Sequence, residues 1–435
     1  MKNLILNILR RTAKTLAKAT LRRYEPAVIG ITGNVGKTST KEAIGVVVKA
    51  ARTVRAPAKS FNNELGLPLT ILGDFEKTGG LVFWFKVFIG AFWRLLKTDS
   101  DYPEVLVLEY GVDRPGDMKY LTDIARPHIG VFSAFAEIPV HVEFFSGPEG
   151  LLREKSKLLE ALPATGFAIL NADDKQVIAL KSLTRARPIS FGFSEKADFR
   201  LSNFVNHLEG PGEGGVSFKI SNQDRLVPIK ISGSFGRGQA YAAAAATAVG
   251  TFLNLNLVQI AEVLNVNYKP APGRSRILKG IKESTLIDDT YNSSPVALKE
   301  ALETLKSLPA KRRIAVLGDM LELGTHTMEA HEIAGRQAAK ACEILLAVGL
   351  RAKMISESAI KAGLPKRSVF YFNNLREAGT FLQEKMGRGD VVLFKGSQGV
   401  RLEKLVKEVM AEPQLAPNLL VRQNSEWLAK PGLYD

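Results

Sequence analysis

The segment Gly30-Ile-Thr-Gly-Asn-Val-Gly-Lys-Thr38 constrains this chain more than any other. Glycine at 30 and the closing Gly36-Lys37-Thr38 have the spacing of a phosphate-binding loop. Glycines let the backbone curl until amide N–H groups converge on phosphate oxygens. The loop must sit between a strand and a helix, whose positive end adds to the attraction for anions. Both flanks are present: Ala27–Thr32 is an apolar strand, and 41–50 reads as helix with a start near Lys37. In such a loop Lys37 reaches the β- and γ-phosphates of ATP, and Thr38 holds Mg²⁺. Gly33, Asn34, Gly36 and Ser39 supply the rest of the cradle.

From there the rhythm is α/β. Apolar runs at 105–108, 128–134 and 166–170 read as strands separated by helical stretches. That alternation predicts a mainly parallel sheet with helices on both faces. Short alternating runs at 216–220 and 226–231 suggest antiparallel additions, and 240–253 reads as a small-residue helix. Lys269-Pro-Ala-Pro-Gly273 is a stiff linker. Strand candidates at 285–287, 313–317, 344–348 and 391–394 then restart the rhythm. The expected organisation is a basic N-terminal helix (1–27), a central P-loop ATPase domain (28–270) and a C-terminal Rossmann-like α/β domain (271–435). The central domain carries an aromatic insert at about 77–102.

The 435 residues are 46% hydrophobic and 24% charged, enough apolar material for more than one core. The single cysteine, Cys342, excludes a disulfide framework and a thiolate zinc site, and suits a reducing cytoplasm. The net charge of +15 suits an anionic partner. No basic-and-aromatic nucleic-acid motif accompanies it, so nucleic acid is not an expected partner.

Residues 1–24 carry Lys2, Arg10, Arg11, Lys14, Lys18, Arg22 and Arg23 without an acid, and apolar residues recur there at helical spacing. Charges spread through the whole segment exclude a secretory signal. The helix suits an anionic membrane surface and equally suits packing on the body of the protein. Leu81–Leu96 holds six aromatics and is interrupted by Lys86 and Arg94. It is too short to span a bilayer, which takes ~20 apolar residues, so it reads as a buried or interfacial helix. The two segments add the inner face of the membrane to the cytoplasm as an expected address.

Phosphate chemistry also calls for acids that bind Mg²⁺. Glu109 closes the strand at 105–108, where α/β sheets present their ligands. His141 lies in the loop after the third strand. Both are candidate metal ligands, set against the ordinary alternative of solvated or structural side chains.

Taken in order, these motifs resemble the Mur ligases, and most of all the branch that adds D-alanyl-D-alanine to UDP-N-acetylmuramoyl-tripeptide. The loop Gly30–Thr38 is similar to the family's G-x-T-G-(S/N)-x-G-K-T. Phe61-Asn-Asn-Glu-Leu-Gly-Leu-Pro-Leu-Thr-Ile71 resembles its N-N-x-x-G-x-P-L-T, and Leu108-Glu-Tyr-Gly111 its E-M-G. His141-Val-Glu-Phe-Phe-Ser-Gly147 and Asn171-Ala-Asp-Asp174 also match. Later come Pro272-Gly-Arg274, Asp288-Asp-Thr-Tyr-Asn292 with Pro295, Leu317-Gly-Asp-Met-Leu-Glu-Leu-Gly324, His331 and Lys395-Gly-Ser-Gln-Gly399. The resemblance runs over about 28–410, and its strength lies in the ordered series.

The resemblance implies an ATP-dependent amide-forming ligase that works through an acyl phosphate, with two Mg²⁺. Lys37 and Thr38 would bind phosphates and metal, Glu109 and His141 would hold metal, and Lys155 would carry a carbamate that also faces metal. Arg274 would reach the phosphates from the second domain, with Asp289 at the ribose and Asn292 near the base. Asn62, Asn63, Lys395 and Ser397 would meet the substrates, a cell-wall precursor and D-alanyl-D-alanine. The chain departs from the pattern in several places. Residues 1–27 leave no room for the domain that grips the UDP-sugar. Ser133-Ala134 replaces T-N, Gly238-Gln-Ala-Tyr-Ala242 replaces an H-N-x-x-N series, Lys157 stands for an acid and Gln398 for an arginine. These changes spare the ATP chemistry and bear on substrate recognition. Two other readings stay open. One is a folylpolyglutamate-synthase-like amino-acid ligase, opposed by Asp319–Gly324 and Tyr291-Asn292. The other is a non-catalytic ATP-binding membrane scaffold, opposed by Lys37, Thr38, Glu109, His141 and Lys155 occurring together.

Overall fold

The computed structural model describes every residue except 1, 58–60, 76–77, 98, 137 and 140–141; the side chains of 2–4 also lie outside the description. Among the described residues the strands form two sheets. The first contains β1 (Ala27–Thr32), β2 (Val54–Arg55), β3 (Val105–Glu109), β4 (Ile129–Phe132), β5 (Phe167–Asn171), β6 (Arg187–Gly192), β7 (Phe199–Gly210), β8 (Glu213–Asn222) and β9 (Arg225–Ser232), in the order β2-β3-β1-β4-β5-β6-β7-β8-β9. Pairing is parallel from β2 through β7 and antiparallel from β7 to β9.

Covered parallel strands read as continuous apolar runs, and β3 is buried at every position. β9 alternates buried and exposed residues because only one of its faces meets the core. The helices α1 (Lys2–Tyr24), α2 (Lys37–Lys49), α3 (Gly66–Leu72), α4 (Leu81–Leu96), α5 (Asp117–Ile124), α6 (Pro148–Glu160), α7 (Lys175–Ala179), α8 (Arg237–Phe252) and α9 (Leu257–Asn267) cover this sheet. On one face lie α2, α8 and α9, where the run Ala242–Ala246 lets helix backbones approach closely. On the other lie α1 and α3 to α6. α2 begins at Lys37, where Gly36 in a left-handed conformation (φ 84°) closes the loop.

The second sheet holds β10 (Arg276–Lys279), β11 (Thr285–Asp289), β12 (Arg313–Gly318), β13 (Ile344–Val348), β14 (Val369–Phe372) and β15 (Val391–Lys395), in the order β10-β11-β15-β12-β13-β14. Only β10 runs antiparallel to its neighbour among these pairs. The sequence does not announce β10 or β14. Both are four-residue edge strands without a long apolar run. The fold class is therefore α/β, with two largely parallel sheets.

The two units meet along short contacts. Gly212 N donates to Thr285 Oγ1 (3.0 Å), Ile277 N to Gly233 O (2.9 Å) and Phe235 N to Ser275 O (3.1 Å). Asp288 pins the turn between them. Its carboxylate accepts from Gly273 N at 3.1 Å and from Thr290 Oγ1 at 2.6 Å, and burial pushes its pKa up to about 6.

Candidate active site

β1 is flanked by β3 and β4, with Ile31 beside Glu109 and Thr32 beside Phe132. The C-terminal ends of three parallel strands thus open on one crevice, the usual ligand position in such sheets. The loop after β1 turns through Gly33 at φ +136°. A Cβ there would strike Ser133 Oγ and lie 2.9 Å from Ala134 O, so only glycine fits. Ser133 Oγ sits 2.6 Å from Val35 O, and Asn34 N donates to Ala134 O at 2.8 Å. The dipeptide that departs from the family pattern therefore buttresses the loop.

Lys37 Nζ donates to Gly33 O at 2.8 Å, folding back over the loop mouth. Burial lowers its pKa and Arg274 adds to the effect, while Glu109 and Asp113 oppose it. Lys41 and Glu109 form an ion pair at 3.1 Å with both side chains almost fully buried. Thr38 and Ser39 are buried at the start of α2. Lys155 projects from α6 and is 3% exposed. That excludes the ordinary surface lysine its charged neighbours suggest. Burial, then the charge of Lys37, brings its pKa down to about 7. Lys157 is tied to Glu154 at 2.5 Å.

The second unit closes the crevice from the other side. An Arg274 guanidinium N–H donates to Thr38 Oγ1 at 3.4 Å, and the group stacks 3.8 Å over the Tyr291 ring. Arg274 Nε, Asn34 Oδ1 and Ser293 Oγ are buried without a hydrogen-bond partner among the described residues, yet all three residues line the cleft. Unpaired buried polar atoms are costly unless a ligand satisfies them. Asp289 and Lys395 face each other across β11 and β15 in register, 2.6 Å apart, and Lys395 Nζ also donates to Asn292 O at 3.2 Å. These two residues thus meet each other, where the sequence treated them separately. Ser397 Oγ accepts from Leu321 N at 2.9 Å.

One cleft of about 740 Å³ unites Gly33, Asn34, Gly36, Lys37, Thr38, Ser39, Asn62, Glu109, Lys155, Arg274, Asp289, Asn292, Lys395 and Ser397. Asn63 is not in that lining; its Oδ1 accepts from Gly66 N, the first residue of α3, at 2.9 Å. His141 lies outside the described residues. His331 accepts from Met320 N at 3.0 Å and holds the 319–324 loop. In the departing 238–242 segment, Gln239 bonds Ser234 Oγ at 2.9 Å and accepts from Tyr268 OH at 2.7 Å. Those polar atoms serve the fold.

The cleft also contains residues the sequence did not flag: Arg237, Glu300, Trp427 and Lys430. Glu300 sits on the helix Pro295–Ser307, one turn beyond Ala297 and one before Thr304 on the same face. A lone acid on that small-residue face was the available signal. Burial raises it to about 7, so it can exchange a proton near neutrality. Trp427 and Lys430 come from the C-terminal tail and carry no local signal at all.

Fold and cleft define an α/β protein in which a P-loop of one unit lines a cleft shared with the other. Comparison with known proteins specifies it further. The Mur ligase middle domain matches residues 90–250, and the domain described as "Mur ligase, glutamate ligase domain" matches 273–398. The UDP-N-acetylmuramoyl-tripeptide–D-alanyl-D-alanine ligase of Mycobacterium leprae (strain TN) is 30% identical, over 95% of this chain and 79% of its own length. Its namesake from Bacillus subtilis (strain 168) is 28% identical over 92% and 79%. The crystal structure of MurF ligase from Thermotoga maritima in complex with ADP has a TM-score of 0.73 at 27% identity, covering 92% of this chain and 83% of that one. The chain belongs to the Mur ligase family.

Proposed function

We propose that this chain joins the terminal carboxylate of UDP-N-acetylmuramoyl-tripeptide to the amine of D-alanyl-D-alanine in the cytoplasm, driven by cleavage of ATP to ADP. The observation that carries the reading is a single cleft in which Lys37 and Thr38 of one unit meet Arg274 of the other. Residues 28–270 and 271–435 are the two domains of this reading.

The carboxylate oxygen attacks the γ-phosphorus, and the β–γ P–O bond breaks with its electron pair leaving on ADP. The amine then attacks the acyl carbon, the C–O bond to phosphorus breaks, and inorganic phosphate departs as the amine loses a proton. Two anions meet in the first step. Lys37 therefore has most to contribute where charge builds on the transferred phosphoryl group. Asp289 and Asn292 hold the nucleoside end, while Asn62, Lys395 and Ser397 line the way to the amine and acyl partners.

The donor set fits Mg²⁺. Thr38 and Glu109, the latter also paired with Lys41, offer hard oxygens, and Asn34 Oδ1 is a buried oxygen in the same cleft without a hydrogen-bond partner among the described residues. Thr38 and Glu109 would hold one ion, and a carbamylated Lys155 with His141 a second. Bound there, the ions supply neutralisation of phosphate charge.

Arg274 acts as the units close. Arg274→Ala is expected to lower kcat roughly thirtyfold, about 2 kcal/mol of barrier, while nucleotide affinity changes less than about threefold. Turnover and calorimetric nucleotide binding measured together check this. An equal loss in both would make Arg274 a ground-state clamp.

The whole reading is tested by ADP release with each substrate omitted in turn, and with folyl and glutamate substrates as competitors. Turnover that needs both the muramoyl-tripeptide and D-alanyl-D-alanine is expected. Turnover on the folyl pair, or none with any acceptor, would contradict it.

A further inference from the structure

α1 and α4 cover the face of the first sheet opposite α2, and their outer surface takes no part in the cleft. α4 is apolar nearly all round. Trp84, Val87 and Ala91 are buried in the core. On the other side Val82, Phe85, Ile89, Phe92, Trp93 and Leu96 recur at three- and four-residue spacing and are 42–71% exposed. Such a stripe amounts to on the order of 600 Å² of apolar surface, more than scattered surface side chains present. α1 lies alongside, with Tyr24 OH donating to Arg94 O at 2.7 Å, and it exposes Ile5 and Ile8.

The charges that the two helices themselves carry have one sign, and Arg94 of α4 is paired with Asp99 beyond its end. Neither helix contains an acid. Arg10 is paired with Glu64, and Lys14 and Lys18 with Asp123. Arg11 and Arg22 on α1, Lys86 on α4 and Lys97 after it are exposed and form no ion pair among the described residues. An apolar stripe bordered by uncommitted cations complements an anionic bilayer. Its acyl boundary takes the stripe and its headgroup phosphates take the cations. Aromatic rings at the rim suit the same depth. A helix of 16 residues is short of the ~20 that cross a bilayer, and no described helix is long and apolar enough to do so.

We propose that α4, with α1 beside it, docks this chain peripherally on an anionic phospholipid surface, α4 lying in the plane of the interface. The test is flotation of the full chain with vesicles of phosphatidylglycerol and phosphatidylcholine in equal parts, against phosphatidylcholine alone, at low and high salt. The expected result is recovery with the anionic vesicles at low salt and release by salt. The pair Phe85→Glu/Trp93→Glu should lower partitioning at least tenfold. The pair Arg11→Glu/Arg22→Glu should lower it at least about twentyfold on anionic vesicles, since each cation near such a surface is worth about fivefold. All four side chains are exposed, and an unchanged thermal midpoint shows the variants folded. No flotation with either vesicle, or flotation indifferent to both pairs and to lipid charge, overturns the proposal. So does a concentration-dependent dimer, lost on Phe85→Glu, in a chain that ignores vesicles. That result would assign the stripe to a second copy.

Discussion

Alanine at position 37 lowers kcat/KM for ligation by about a thousandfold and leaves the fold intact. Lys37 is the cation at the mouth of the phosphate loop, held back on Gly33 O at 2.8 Å. Removing one preorganised charge or donor from a site where charge develops typically costs 10²–10³ or about 3–4 kcal/mol. Here the site is also desolvated, which places the loss at the upper end. The fold should not suffer. Burial depresses the Lys37 pKa, so below its unfolded pKa the unfolded chain binds the proton more tightly and folding works against that charge. Steady-state ADP release and a thermal melt measure the two halves. Wild-type turnover in the variant would remove the loop from the reaction.

The second large effect is at Lys155. Its amine is buried beside Lys37 with a pKa near 7, so a substantial share of it is neutral at pH 7, against less than a thousandth of an ordinary lysine. Only the neutral amine adds to CO₂. The product exchanges a cation among cations for an anion with oxygen ligands, the kind Mg²⁺ prefers. Lys155→Ala should reduce turnover about hundredfold, with partial recovery in acetate or another short carboxylate. The pH dependence has a definite sign. As pH falls through about 7 the amine protonates, carbamylation recedes and activity comes to depend on added bicarbonate. Well above it the dependence fades. Full activity in the unsupplemented variant, or no rescue by any carboxylate, would leave Lys155 without this role.

Much of this was legible in the sequence, for physical reasons that differ by residue. The phosphate loop was readable because its function is local: glycines, a lysine and a hydroxyl within nine positions. Glu109 was readable because a continuous apolar strand points to its own C-terminal end. The Asp289–Lys395 ion pair was not, since it depends on β11 lying beside β15 in one particular register, 106 residues apart. Glu109 looked like a metal ligand alone, and its partner Lys41, one turn into α2, emerged only from packing. Trp427 and Lys430 reach the cleft because the tail folds back on the second sheet, where Tyr434 OH donates to Asp319 at 2.6 Å and Leu433 N to Gly399 O at 3.1 Å. No local pattern encodes that return. Residues 1–24 suit either an anionic membrane surface or packing on the body of the protein. The structure shows a helix that buries Ala13, Ala17 and Thr20 and still exposes Ile5 and Ile8.

The proposed reaction turns on transfer of a phosphoryl group onto a carboxylate, and oxygen labelling reads that event directly. The muramoyl-tripeptide acceptor is labelled with ¹⁸O in its terminal carboxylate and turned over with ATP and D-alanyl-D-alanine, and the released phosphate is weighed by mass spectrometry. Passage through an acyl phosphate moves one carboxylate oxygen into phosphate, so each phosphate formed carries one label in step with the amide product. Unlabelled phosphate accompanying amide formation would mean that ATP is cleaved by water or by another route, and would contradict the mechanism.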